Sequence, residues 1–393
     1  MARFGLFLAV AVTILSAGVD LAQAGSHLWQ SGVKLQDPLP IRHIALNNRG
    51  KADVEANRKG NLEKRFLLQL HQGRVKKWPD TTIRYCYNDA AAKGALEASF
   101  AMAQRRWSNA GLDMTVFLYN EVAEPGDDCT THADRANILV IHYNTVGTLL
   151  TTNAIHPLNP ALPSYLGPKM NLSMLETVGT LNPVTNIAHE LGHAWGLLHE
   201  HQDRTWWESP LGNFDTGEGP APFQRGNFAC DQLADYTARL TLDAQGNAHG
   251  LSVEEICGDQ SAANSIGFSA ADWLPFPRDT TENEYSDNVD WESIMLYPSN
   301  AGGRGQVTAG NDARANVLVG YRSASDDEDD PVRVVRSFGG NFDPTDRDVD
   351  GIMYMYGKLK LYGEESDWGG LIIETAHPLN GEFNEVFQES HCR

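Results

Sequence analysis

The residues of this chain whose types and spacing carry a chemistry are His189, Glu190, His193 and His199. They lie in the run His189-Glu190-Leu191-Gly192-His193-Ala194-Trp195-Gly196-Leu197-Leu198-His199, a His-Glu-x-x-His-x-x-Gly-x-x-His pattern. Side chains four apart on a helix share one face, so His189 and His193 can aim their imidazoles at a single point. Gly196 lets the chain leave the helix through a positive φ, and the turn swings His199 back towards the same point. Three neutral imidazoles hold zinc and leave a fourth position for water, the layout of a catalytic site rather than a closed structural one. Glu190 sits beside that position, where it can take a proton from the water. The expectation is one catalytic Zn2+ held by His189, His193 and His199, with Glu190 as the catalytic carboxylate. Against it stands an amphipathic helix with ordinary surface histidines. That reading needs the added Gly and third His to be coincidence, which roughly several hundred-fold rarity disfavours.

The flanking sequence supplies what such a helix needs. Asn182 is suited to cap its start with Pro183 in the first turn, where a missing N–H costs nothing. Ile187, Ala188, Leu191, Ala194 and Trp195 give it apolar faces. Upstream, Ile83 to Tyr87 alternates like a strand, and Ala90 to Ala110 has the composition of a long helix. Met114 to Leu118 and Ala136 to Tyr143 read as further strands, and Met170-Asn171-Leu172 as a short edge strand before the motif. Residues 202–290, rich in Gly, Asp, Asn and Pro, read as an insertion with a short element at Ala234 to Leu242. Asp346 to Tyr356 predicts a final helix. The acidic run Asp326-Asp327-Glu328-Asp329-Asp330 reads as a solvated loop, and its spacing does not match an EF-hand. No internal repeat is visible.

The ends and the charge set the context. Arg3, the apolar run Leu6 to Leu15 and Ala22-Gln23-Ala24 read as a secretory signal peptide over 1–24, so the expected location is extracellular. No later apolar run is long enough to span a bilayer. Residues 25–77 hold 11 Lys and Arg against 4 Asp and Glu, whereas residues 78–393 hold 19 against 46. A leader of net +7 joined to a body of net −27 suggests that the one docks on the other, as a propeptide on a catalytic domain over 78–362. A tail follows over 363–393. The acidic body excludes nucleic acid and anionic membrane as partners. Five cysteines allow at most two internal disulfides, in any of fifteen arrangements; nearness favours Cys230 with Cys257 and offers Cys86 with Cys129 as a second pair. Asn171-Leu172-Ser173 is a glycosylation sequon, consistent with secretion.

Some ninety residues past the motif stands Ser293-Ile294-Met295-Leu296-Tyr297. With the eleven-residue motif and Glu200 directly after it, this run makes the chain resemble the metzincin metalloendopeptidases and, within them, the astacin family. Trp78-Pro79, Ile83, Tyr85 and Asp348 to Tyr356 extend the resemblance more faintly. It implies an α+β metzincin fold: a twisted, mostly parallel sheet, an active-site helix and an irregular lower subdomain after the zinc motif. It implies that Met295 forms an apolar floor under the histidines. Tyr297 becomes a displaceable zinc ligand and a catalytic residue that steadies the transition state. Protein or peptide substrates would pair as an added strand with the sheet edge near Met170 to Leu172. In astacins the residue at Glu200 ties down a new N-terminus or a basic group. The leader lacks the aromatic-x-Gly-Asp segment of many astacin precursors, the usual disulfide spacing is absent, and the stretch between His199 and Met295 is long. Serralysins carry Pro and matrixins Ser where this chain has Glu200. The reading from another class is a secreted zinc-bearing adhesion or inhibitory module without turnover, which would have no use for Glu190.

Overall fold

The computed structural model describes residues 66–69, 77–122, 132, 134–147, 149–152, 167–208, 220–240, 247–248, 250–276, 281–284, 289–308, 311–323 and 332–357. The expected signal peptide, most of the expected leader, the acidic run at 326–330, Cys129 and the expected tail lie outside them.

The upper half is a five-stranded sheet with two long helices. Its elements are β1 (Thr82–Tyr87), α1 (Ala90–Asn109), β2 (Leu118–Glu121), β3 (Leu139–Asn144), β4 (Leu150–Thr152), β5 (Lys169–Ser173) and α2 (Pro183–Trp195). Strand order is β2-β1-β3-β5-β4; the first four run parallel and β4 is antiparallel to β5. Parallel strands covered on both faces lose polar alternation, and the buried Leu139, Val140 and Ile141 of β3 follow that pattern. Asp89 caps α1 by accepting from the Ala92 N–H. Leu96, Phe100, Ala103 and Trp107 recur at helical spacing and are buried. Trp107 closes the packing against α2, where its indole donates to the Ala188 carbonyl at 2.8 Å.

Three sequence-based expectations shift. The strand expected at Met114 to Leu118 begins only at Leu118. Asp113 accepts from both the backbone N–H and the hydroxyl of Thr115, and its carbonyl from Val116 and Phe117, which winds those residues into a turn. The strand expected from Ala136 begins at Leu139, after a 3-10 turn over Arg135–Asn137. Most consequential, Met170 to Leu172 is no edge. β5 runs between β3 and β4 with Met170 and Leu172 fully buried, and among the described residues β4 is the terminal strand on that side. The sequon therefore falls on an inner strand with Ser173 buried.

The motif helix forms as its caps require. The Asn182 side chain accepts from the Val184 and Thr185 N–H groups, Pro183 opens the first turn, and every residue from Thr185 to Trp195 is buried. Gly196 ends the helix at φ 114°. Gly192 has a different task. A Cβ there would lie 2.5 Å from the Met295 Sδ and 3.1 Å from the Trp107 ring, so glycine lets Met295 and Trp107 pack close against the helix without shifting.

Below α2 the chain winds through short helices at Thr205–Glu208, Tyr236–Arg239, Val253–Ile256 and Gln260–Ser265, braced by a Cys230–Cys257 disulfide. Cys86 is also disulfide-bonded, to a partner outside the described residues. The chain returns as α3 (Asp346–Met355), one residue shorter than expected, with Thr345 and Asp348 forming a capping box. Trp78 is the first core residue. Its indole donates to the Ala194 carbonyl at 2.6 Å, and its N–H donates to the Tyr356 hydroxyl at 3.2 Å. Of the leader, Phe66–Gln69 adds an antiparallel strand to Thr281–Glu284. Among the described residues no helix is long and apolar enough to cross a membrane.

Gly196→Ala should cost about 1–2 kcal/mol, because a Cβ at this φ meets the following carbonyl. Denaturant unfolding of the variant against wild type measures it.

Candidate metal centre

The three histidines converge as their spacing requires. His189, His193 and His199 are buried, and they offer ligand atoms that all lie within 4.8 Å of one another. The turn that brings His199 over is tied back by the Gly196 and Leu197 N–H groups, which donate to the Gly192 carbonyl at 3.1 and 3.0 Å.

Each ring is oriented through its Nδ1. That atom faces the Ile294 carbonyl at 2.7 Å in His189, the Leu197 carbonyl at 2.8 Å in His193 and the Gln202 Oε1 at 2.7 Å in His199. Oxygen acceptors require the proton on Nδ1, so each Nε2 presents a lone pair. The Nε2 atoms of His193 and His199 face each other at 3.0 Å. Two lone pairs at that separation repel unless a cation lies between them. A tetrahedral ion with metal–nitrogen distances of about 2.0–2.1 Å sets its ligand nitrogens about 3.3–3.4 Å apart. The donor set therefore fits a metal ion.

Burial reinforces this chemistry. Desolvation holds His189 and His199 well below the usual imidazole range and pushes His193 down to about 4. The rings stay neutral, as metal ligation requires. Glu190 is buried on the same helix and accepts from the Thr151 hydroxyl at 2.5 Å. Burial raises its carboxyl to about 8 against the opposing pull of the Thr151 hydrogen bond. Tyr297 is buried beside the histidines, its ring centroid 4.2 Å from that of His199 and 5.6 Å from that of His189. His201 and Trp273 pack on the same tyrosine at 4.9 and 5.5 Å.

The 293–297 turn is held by buried carboxylates. Asp348 accepts from the Ser293 hydroxyl at 2.6 Å and the Ile294 N–H at 3.0 Å. It thereby sets the carbonyl that orients His189. Burial, and then Asp290 beside it, raises Asp348 to about 7. Glu200 accepts from the Asp290 N–H at 3.0 Å, and its own N–H donates to the Met295 carbonyl at 3.2 Å. It thus bonds to the 290–295 segment, while the backbone N–H of Trp78 is held at Tyr356. Burial first, then Asp290, pushes the Glu200 carboxyl well up.

Three residues of this centre escaped sequence reasoning. Thr151 lies on a three-residue strand with no pattern of its own. Gln202 is one polar residue in a stretch that read as insertion; its Nε2 also donates to the Ala271 and Leu274 carbonyls at 2.9 and 3.0 Å. Asp348 did leave a signal, the Thr-x-x-Asp capping pattern from Thr345. No family model matches this chain, and no curated protein matches it either.

Gln202→Leu should weaken metal binding about tenfold to a hundredfold, the usual cost of freeing a ligand histidine from its orienting partner. Competition with a chromogenic chelator reads this directly. A pH dependence also follows for chelator-stripped protein. Glu190 is raised in the fold, so its stabilising protonation is complete below the unfolded value of 4.5 and is lost as pH rises through about 8. The depressed histidines act oppositely, their contribution being full above their unfolded value of 6.5. Between about pH 6.5 and 8 the stripped wild type should lose about 1–2 kcal/mol more stability than stripped Glu190→Gln.

Proposed function

We propose that this protein is a secreted zinc-dependent endopeptidase of the metzincin type, nearest the astacins, made with a leader that docks on the catalytic body. The observation that carries the reading is the convergence of three Nδ1-protonated imidazoles beside the buried Glu190 and Tyr297. His189, His193 and His199 would hold one zinc ion. Bound zinc would supply Lewis acidity, lowering the pKa of a water and polarising the scissile carbonyl.

The chain's own groups do the rest. Glu190 takes a proton from the attacking water and delivers it to the departing amine nitrogen. Its place on the motif helix, one residue after His189, sets the carboxyl beside the centre where that water would lie. The Tyr297 phenol donates to the oxyanion of the tetrahedral intermediate. Met295, packed against Gly192, supplies an apolar floor that keeps the ligand rings in place. Proteins and peptides are the substrates, held extended along the outer edge of β4, the terminal strand. A zinc-bearing adhesion module would gain nothing from a buried carboxyl at position 190, which the fold keeps at a desolvation cost.

The decisive experiment is incubation of the processed protein with a peptide library, with and without a chelator. Chelator-sensitive internal cleavage is the expected result. Glu190→Gln should keep stoichiometric zinc and its melting temperature while losing at least about a hundredfold in kcat. Tyr297→Phe should lose about a hundredfold to a thousandfold in kcat with KM little changed. Normal casein cleavage by the Glu190→Gln protein would end this reading.

A further inference from the structure

A side-chain hydrogen bond joins β4 to the motif helix. Thr151 is the middle residue of the three-residue strand Leu150–Thr152, which is antiparallel to β5 and ends the sheet on that side. Its side chain is fully buried against α2, and its hydroxyl donates to Oε2 of Glu190 at 2.5 Å. Glu190 is itself 1% exposed. Each carboxylate oxygen has its own lone pairs, so a donor fixed on Oε2 sets the rotation of the group. It leaves Oε1 as the oxygen that can address a reactant.

From this contact we propose that Thr151 is a positioning residue for Glu190, and that it couples the base to the strand along which substrate lies. The inference rests on the endopeptidase reading above. A peptide paired with β4 is placed by the backbone of residues 150–152. The oxygen that must accept a proton is placed by the side chain of 151. Both are therefore referred to one three-residue segment paired with β5. Misplacing a reacting group by about 1 Å is enough to cost about a hundredfold in rate. A hydroxyl in contact with the base is a direct way to prevent that drift.

Other features carry less. The buried Arg314 binds Asp312 and Asn300, and its contacts describe a loop clamp with nothing that points to a ligand. Val332, Val334 and Val335 are exposed apolar residues at and beside the strand Arg333–Arg336, and nothing says what covers them.

The test compares Thr151→Val, which keeps the shape and removes the hydroxyl, with Thr151→Ser, which keeps the hydroxyl. Thr151→Ala replaces the valine variant should that fail to fold. Melting temperature and zinc content are measured on each. Two readouts follow.

The first is the carboxyl 13C signal of Glu190 in the whole chain, labelled at glutamate and assigned by its loss in Glu190→Gln. It should move in Thr151→Val and return towards the wild-type position in Thr151→Ser. The second is peptide hydrolysis. Thr151→Val should lose about tenfold to a hundredfold in kcat with KM within about twofold, and Thr151→Ser should recover to within about threefold of wild type.

An unmoved carboxyl signal in the valine variant overturns the proposal, as does a kcat within twofold of wild type. Equal losses in the serine and valine variants overturn it too, because packing alone would then account for the effect. Absence of hydrolysis by the wild type sinks the endopeptidase reading instead, and the carboxyl signal still decides the contact.

Discussion

The structure depends on one constraint: three imidazole lone pairs must face one point in a core that excludes water. A neutral imidazole so buried needs its N–H satisfied, and the acceptor it finds fixes which nitrogen is left for the metal. The acceptors come from three places. The Leu197 carbonyl belongs to the motif's own turn, the Ile294 carbonyl to the 293–297 turn, and Gln202 Oε1 to the chain just past the motif. The centre is therefore assembled only when the upper sheet-and-helix half and the lower half are both folded.

The parts of the lower half can be ranked by that dependence. Gln202 is held by carbonyls of Ala271 and Leu274, so the stretch that reads as an insertion buttresses the third histidine. His201 donates its hydrogen-bonding capacity to the same place, with its Nε2 at 2.9 Å from the Asp272 carbonyl. The Cys230–Cys257 disulfide closes the loop that leads there. On the other side, Asp348 holds the Ile294 N–H while the Ile294 carbonyl holds His189. A buried carboxylate thus orients a candidate ligand through one intervening residue. Keeping Glu200, Asp290 and Asp348 within one buried cluster costs desolvation and repulsion, visible as raised pKa values at Glu200 and Asp348. Such a cost is tolerable where the hydrogen bonds fix geometry that apolar side chains could not.

Legibility in the sequence followed locality. The motif helix was readable to its caps, because Asn182, Pro183 and Gly196 act within a turn of where they stand. The long helix and the final helix were readable for the same reason, by apolar spacing and by a cap. The Cys230–Cys257 bridge was readable from proximity. Strand order was not. Met170 to Leu172 looks like an edge strand because it is short and precedes the motif. Whether it is one depends on Leu150–Thr152, a segment of three residues that carries no periodicity. The start of β2 was lost to Asp113, whose side chain bends the next residues into a turn against their β-branched composition. Gln202 and Thr151 were invisible because a side chain's partner across the fold leaves no trace in spacing.

Moving the edge from β5 to β4 changes the chemistry and not only the drawing. β5 pairs with β3 on one side and β4 on the other, so its backbone has no capacity left for a third strand. On this side of the sheet, among the described residues, the strand open to an added extended peptide is β4, which lies against α2. The strand next to the peptide is then the strand that touches Glu190. Had β5 been the edge, substrate register and base orientation would be set by separate segments whose relative position could drift. With β4 there, Thr151 ties the orientation of Glu190 to the strand that ends the described sheet on this side. On the proposed endopeptidase reading, peptide register and base orientation would then both refer to one backbone segment.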